Sequence, residues 1–152
     1  MGGVGSGTWY RYDKKTTVEE SLILSIWDFR NEIYSQSSGT LKWIFAGDRE
    51  SSIAYSVSQI GCPVITLRYC WSNREDIEIL LRLQSTPTNF NGTRWWFTCP
   101  LVLNGVACKR RVGKVYLPPR SPYFGCRNCH DLTYRSSQEA HQVKWLSGTT
   151  CD

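Results

Sequence analysis

Three observations predict an α+β fold. Four stretches between residues 41 and 83 alternate apolar and polar positions with a period of two, the pattern of antiparallel strands with one buried face. Ahead of them, Ile26, Trp27, Phe29, Ile33 and Tyr34 make a mixed apolar face at helical spacing. Behind them, four cysteines fall into two groups, C-x8-C and C-x2-C, with seventeen residues between the groups. The expected architecture is a helix on an antiparallel β-meander, followed by a module tied together by its thiols. The expected boundaries are a Gly-rich arm over 1–16, an α+β domain over 17–90, the cysteine module over 91–135 and a short C-terminal helix or tail over 136–152.

The chain has 152 residues, enough for one domain or for a small domain with a stapled module. Apolar residues are 41% and aromatics 13%, which supports a packed core and argues against general disorder. No apolar run reaches the roughly 20 residues of a membrane span. Met1-Gly-Gly-Val-Gly-Ser-Gly7 lacks the basic and apolar regions of a secretory signal, so a cytosolic location is expected. Net charge is +5 and unevenly placed: residues 1–90 balance at −1 and residues 91–152 at +6. That asymmetry points to an anionic partner for the C-terminal part, against the alternative of a solvated basic surface.

The elements follow in order. The glycines before Trp9-Tyr10-Arg11-Tyr12 suggest a flexible terminus. Thr17 with Glu20 forms a capping box, and Ser25 or Asp28 offers a second start for a helix over about 26–35, with a strand or turn before it. The strand sets are Leu41, Trp43, Phe45; Ile53, Tyr55, Val57; Ile65, Leu67, Tyr69, Trp71; and Ile77, Ile79, Leu81, Leu83. Turn signals at Gly47-Asp48-Arg49, Gly61-Cys62-Pro63 and Ser72-Asn73-Arg74-Glu75 separate them. The breaker-rich run Ser85–Gly92 reads as the connector between domains. Three short strands then surround the cysteines: Trp95–Thr98, Val112–Leu117 and Tyr123–Gly125. Of Trp95 and Trp96, alternation puts only one outward.

Cys99, Cys108, Cys126 and Cys129 carry the chemistry. Seven cysteines in a chain with no export signal favour metal over disulfides. Zinc takes four thiolates at about 2.3 Å and closes its shell in structural sites. The seventeen-residue gap and the C-x2-C suit such a site, while C-x8-C is wider than the usual knuckle. The expectation is a structural Zn2+ in a ribbon whose first knuckle has grown a loop turning at Asn104-Gly105. Cys126–His130 also matches the haem pattern C-x-x-C-H, but haem would leave Cys99 and Cys108 unexplained. His130 is an alternative ligand; packing beside the knuckle is preferred because it adjoins Cys129. Cys62, Cys70 and Cys151 have no matching partner spacing.

A closed shell leaves no open coordination position, so no catalysis is expected from the metal. Basic and aromatic residues interleave around it: Lys109, Arg110, Arg111, Lys114, Arg127, Arg94 and Trp96 are the candidate binding residues. Cations neutralise phosphates and rings stack on bases. Glu75, Asp76 and Glu78 read as a solvated edge.

The runs G-S-G-T-W-Y-R-Y, K-T-T-V-E-E, S-G-T-L-K-W, T-P-T-N-F-N-G-T-R-W-W-F-T-C-P, C-K-R-R-V-G-K-V-Y-L and Y-F-G-C-R-N-C-H-D-L-T-Y-R-S-S-Q-E resemble a family of uncharacterised bacterial proteins, many from phages and mobile elements. The resemblance reaches from the N-terminus to about Glu139. It implies a C-terminal zinc ribbon and no established activity. Its members have a shorter first cysteine gap and a longer basic C-terminal helix. The expected function is a non-catalytic zinc ribbon that binds DNA or RNA through the basic, aromatic face. The alternative is a mobile-element protein that blocks a host defence nucleoprotein complex. A third reading, a nuclease using His130 and Asp131, ranks below both.

Overall fold

The computed structural model describes residues 15–45, 49–59, 61–71 and 75–137. The Gly-rich arm, the turns at 46–48 and 72–74, and the tail from 138, with His141 and Cys151, lie outside the described residues. Antiparallel sheet dominates. A six-stranded sheet has the order β2 (Ser38–Phe45), β3 (Arg49–Ser58), β4 (Val64–Trp71), β5 (Glu75–Pro87), β6 (Thr93–Thr98), β9 (Arg111–Val112). Two small ribbons join it: β1 (Leu22–Ser25) with β10 (Lys114–Leu117), and β7 (Val102–Leu103) with β8 (Val106–Ala107).

The meander follows the expected register. In β4 and β5 the positions Ile65, Leu67, Tyr69, Ile77, Ile79, Leu81 and Leu83 are buried, and Thr66, Arg68, Glu78 and Arg82 lie on the other face. A period of two with one apolar set can only be satisfied with that set inward. Glu75, Asp76 and Glu78 are exposed, and Glu78 pairs with Arg68 at 2.9 Å. Cys62 and Cys70 are exposed free thiols.

The helix expected over 26–35 is shorter than that. A 3-10 helix spans Ile26–Phe29 and a single α turn, α1, spans Glu32–Ser35, ending at Gln36 with φ 51°. Ser25 caps the first piece: its hydroxyl accepts from Trp27 N–H, and the Ser25 N–H donates to the Asp28 carboxylate at 3.0 Å. One or two turns repay little of the cost of nucleating a helix, so packing decides the shape. Ile26, Phe29 and Ile33 are buried, while Trp27 and Tyr34 are exposed at 58% and 64%. The buried face is thus narrower than the sequence pattern suggested. Upstream, the Glu20 carboxylate accepts the Thr17 N–H at 3.1 Å, as the capping box requires.

Ser85–Pro87 belong to β5, not to a connector. They pair with Trp95, Arg94 and Thr93 of β6. Residues 88–92 are a hairpin turn, closed by Thr88 N–H on the Gly92 carbonyl at 3.0 Å. The sheet therefore runs through residue 90, where a domain boundary was expected. One core draws on both sides: Leu24, Phe29, Ile33, Ile65, Leu81, Phe97, Val115 and Phe124 are all fully buried in it. Phe29 meets Tyr55 and Phe97 edge-on, at 5.2 and 6.0 Å between centroids.

The N-terminal segment docks onto the cysteine module. Leu22 to Ser25 pair with Leu117 to Lys114. Thr17 bridges Thr133, with Val18 N–H on the Thr133 carbonyl at 2.8 Å. Lys15 pairs with Asp131 at 3.0 Å, and the Glu19 carboxylate accepts Arg135 N–H at 3.0 Å. A bond from its own backbone N–H, and then the one from Arg135, hold Glu19 below the usual carboxylate range.

Phe97 sits at the centre of the shared core with no exposure. Phe97→Ala is expected to cost about 3–5 kcal/mol, while Leu80→Ala, on the polar face, stays within about 0.5 kcal/mol. Urea denaturation of the two variants checks the contrast.

Candidate metal centre

The four cysteines are brought together as expected. Their sulfurs all lie within 4.8 Å of one another. Cys99 Sγ is 3.9 Å from Cys129 Sγ, and Cys108 Sγ is 3.9 Å from Cys126 Sγ. Four sulfurs at about 2.3 Å from a central ion stand about 3.8 Å apart, so the spacing suits a tetrahedral metal. A disulfide would need about 2.05 Å. All four are free thiols. Cys99 and Cys126 are buried, and Cys108 and Cys129 are half-buried.

Local backbone presents each sulfur. β6 delivers Cys99, whose N–H is held by the Arg110 carbonyl at 2.9 Å. The loop in the first knuckle is the β7–β8 hairpin, turning at Asn104 (φ 53°) and Gly105 (φ 78°). Two successive positive φ values are the type I′ turn that Asn-Gly favours. Cys108 N–H on the Leu101 carbonyl at 2.9 Å closes its base. Lys109, with φ 51°, then turns the chain so that the Arg110 N–H meets the Cys108 sulfur. In the second knuckle Cys126 N–H points to Cys99 Sγ at 3.2 Å, and Cys129 N–H to Cys126 Sγ at 3.4 Å. Such N–H groups stabilise negative sulfur.

Burial pushes the Cys99 thiol up to about 11 and raises Cys129 further. At Cys108 desolvation is outweighed by bonds from the Arg110 backbone and the neighbouring thiols, and its pKa falls. His130 stays outside the sulfur group and packs beside it. Burial lowers its pKa, opposed by a bond to the Tyr123 backbone. A Cβ on Gly125 would stand 2.9 Å from His130 Nε2 and 2.7 Å from Leu101 Cγ, so the glycine leaves room for both side chains beside the second knuckle.

A groove of about 360 Å³ runs beside Cys126. Five of the seven candidate binding residues line it: Trp96, Arg110, Arg111, Lys114 and Arg127. Arg94 reaches it through the indole, with its guanidinium 4.2 Å from the Trp96 ring centroid. Lys109 is exposed but does not line it. Strand alternation puts Arg94 and Trp96 on the outer face and Trp95 inward against the core. The Trp96 indole donates to Thr86 Oγ1 at 2.8 Å, which fixes the ring. Arg111 lies 5.7 Å from the same ring, and Arg127 lies 5.0 Å over Tyr134. The ion pairs among the described residues are Lys15–Asp131, Lys42–Glu50 and Arg68–Glu78, so none neutralises this groove. Tyr134, one of the rings interleaved with the cations in the sequence, completes the wall.

Metal binding must displace the protons that burial holds on Cys99 and Cys129. Apparent affinity is therefore expected to fall as the pH drops, by about tenfold per unit for each proton released. Chelator competition at pH 6, 7 and 8 reads the slope. Cys99→Ser and Cys126→Ser are each expected to abolish stoichiometric metal by elemental analysis. No helix among the described residues is long and apolar enough to cross a membrane. Comparison with protein-family models, with curated proteins and with solved structures finds no match for this chain.

Proposed function

We propose that Cys99, Cys108, Cys126 and Cys129 hold a structural Zn2+, and that the groove beside it binds the phosphate backbone of a nucleic acid. The observation that carries this reading is the convergence of Arg110, Arg111, Lys114 and Arg127 on one groove with no carboxylate in its lining among the described residues. Zinc is preferred among thiophilic ions because a closed tetrahedral set of four sulfurs is its ordinary structural site. Its binding energy is folding energy for a segment with short strands and little core of its own.

The rings here serve the cations. Guanidinium groups already lie over Trp96 and Tyr134, so these side chains are pre-ordered and lose less freedom on binding. A base stacking on Trp96 must displace Arg94 or Arg111, which favours phosphate contact over base reading in this groove.

A second reading is favoured by one observation. The β7–β8 hairpin exposes Val102, Leu103 and Val106 beside the cations, and uncharged apolar side chains suit a protein partner. A host nucleoprotein complex combines both chemistries.

Fluorescence anisotropy with a labelled oligonucleotide is expected to show binding that weakens with salt, with a log–log slope of about −3 for four phosphates. Arg110→Ala with Lys114→Ala should reduce that slope by about half. Salt-independent binding, or no binding by metal-loaded protein, refutes the reading. Copurification with a host protein that survives nuclease would transfer the groove to the second one.

A further inference from the structure

A second cleft lies on the opposite side of β6 from the groove. Its volume is about 350 Å³, and its floor is Ile26 and Ile33. Its walls are Trp27, Tyr34 and Trp95, supplied by the 3-10 helix, α1 and β6. The Trp95 indole donates to the Tyr34 hydroxyl at 3.2 Å, and the two rings meet edge-on at 6.5 Å. That bond uses Tyr34 as an acceptor and leaves its own hydrogen to donate. The Trp27 indole N–H has no hydrogen bond among the described residues.

Leaving Trp27 and Tyr34 in water forgoes the burial that large rings normally supply to a core. Both stand beside an apolar floor, with free donors at the rim. The size fits one planar ring system with its substituent, at the lower end of small-molecule sites. Charge narrows the choice. Arg30 and Arg94 line the cleft, neither makes an ion pair among the described residues, and no carboxylate among those residues lines it. A flat ring faces the aromatics, and an anionic group faces Arg30.

We infer that this cleft binds a nucleobase bearing a phosphate, as a nucleoside monophosphate or as one unstacked nucleotide of a strand. The site uses stacking on Trp27, hydrogen bonds from the Tyr34 hydroxyl and the Trp27 indole, and a phosphate contact from Arg30. An unsubstituted proline-rich peptide also suits exposed aromatics, but it has no use for Arg30. The site goes beyond the proposed phosphate groove: Trp95 and Trp96 point to opposite faces of one strand, so either can fail alone.

The test is a titration of metal-loaded, full-length protein with adenosine 5′-monophosphate, read by the indole N–H resonances of Trp27 and Trp95. Saturable shifts confined to these two indoles are expected. Trp27→Ala should weaken binding by about tenfold. Arg30→Ala should weaken the monophosphate but leave adenosine unchanged. Both residues are exposed, so the variants are expected to keep the wild-type unfolding curve. Arg110→Ala with Lys114→Ala should leave the shifts intact, which separates this cleft from the groove. The inference is overturned by the absence of saturable shifts up to about 10 mM ligand. It is also overturned by an unchanged response in Trp27→Ala, or by a proline-rich peptide that saturates the cleft when the monophosphate does not.

Discussion

The convergence of four sulfurs is the constraint on which the C-terminal half depends. Cys99 follows directly on a strand of the main sheet, Cys108 closes a hairpin, and Cys126 and Cys129 flank a tight turn. Between them run strands of two and four residues, too short to stand alone. An ion shared by four thiolates contributes on the order of 10 kcal/mol in small modules, comparable to the stability of a whole domain. The same geometry sets the groove, because Cys126 forms part of its wall and Arg127 is held inside the second knuckle.

Much of this was legible in the residues. The meander follows from alternation alone, because a strand with one apolar set has a single inward register. The sulfur cluster follows from spacing, and the Asn104-Gly105 hairpin from the few residues that tolerate positive φ. The helix was overread, because Trp27 and Tyr34 looked like core and are exposed. Hydrophobicity scores a ring the same whether it packs or binds. The connector was misread for a related reason: Thr86 and Pro87 signal a break, yet the end of a strand with a partner on one side tolerates both. The pairing of β1 with β10 had no local signal at all, since nothing in a four-residue stretch names its partner.

Trp95 and Trp96 show how one dipeptide serves two surfaces. Adjacent residues of a strand face opposite ways, so the first packs on the core beside Tyr34 and the second stands under Arg94 on the cationic side. The ladder that binds β6 to β5 holds both rings at once, with Thr86 fixing Trp96 and Gln84 fixing Thr98 across the same pair of strands. Each surface thereby takes one ring fixed on sheet, which suits sites that need their side chains pre-set.

The seam that joins Lys15 to Asp131 and Glu19 to Arg135 links groups 116 residues apart in the chain. During synthesis its first half leaves the ribosome long before its second half exists. The meander forms from neighbours and can fold as it emerges, but β1 has nothing to pair with until β10 follows. Completion of the native state therefore waits for the arrival of the second knuckle.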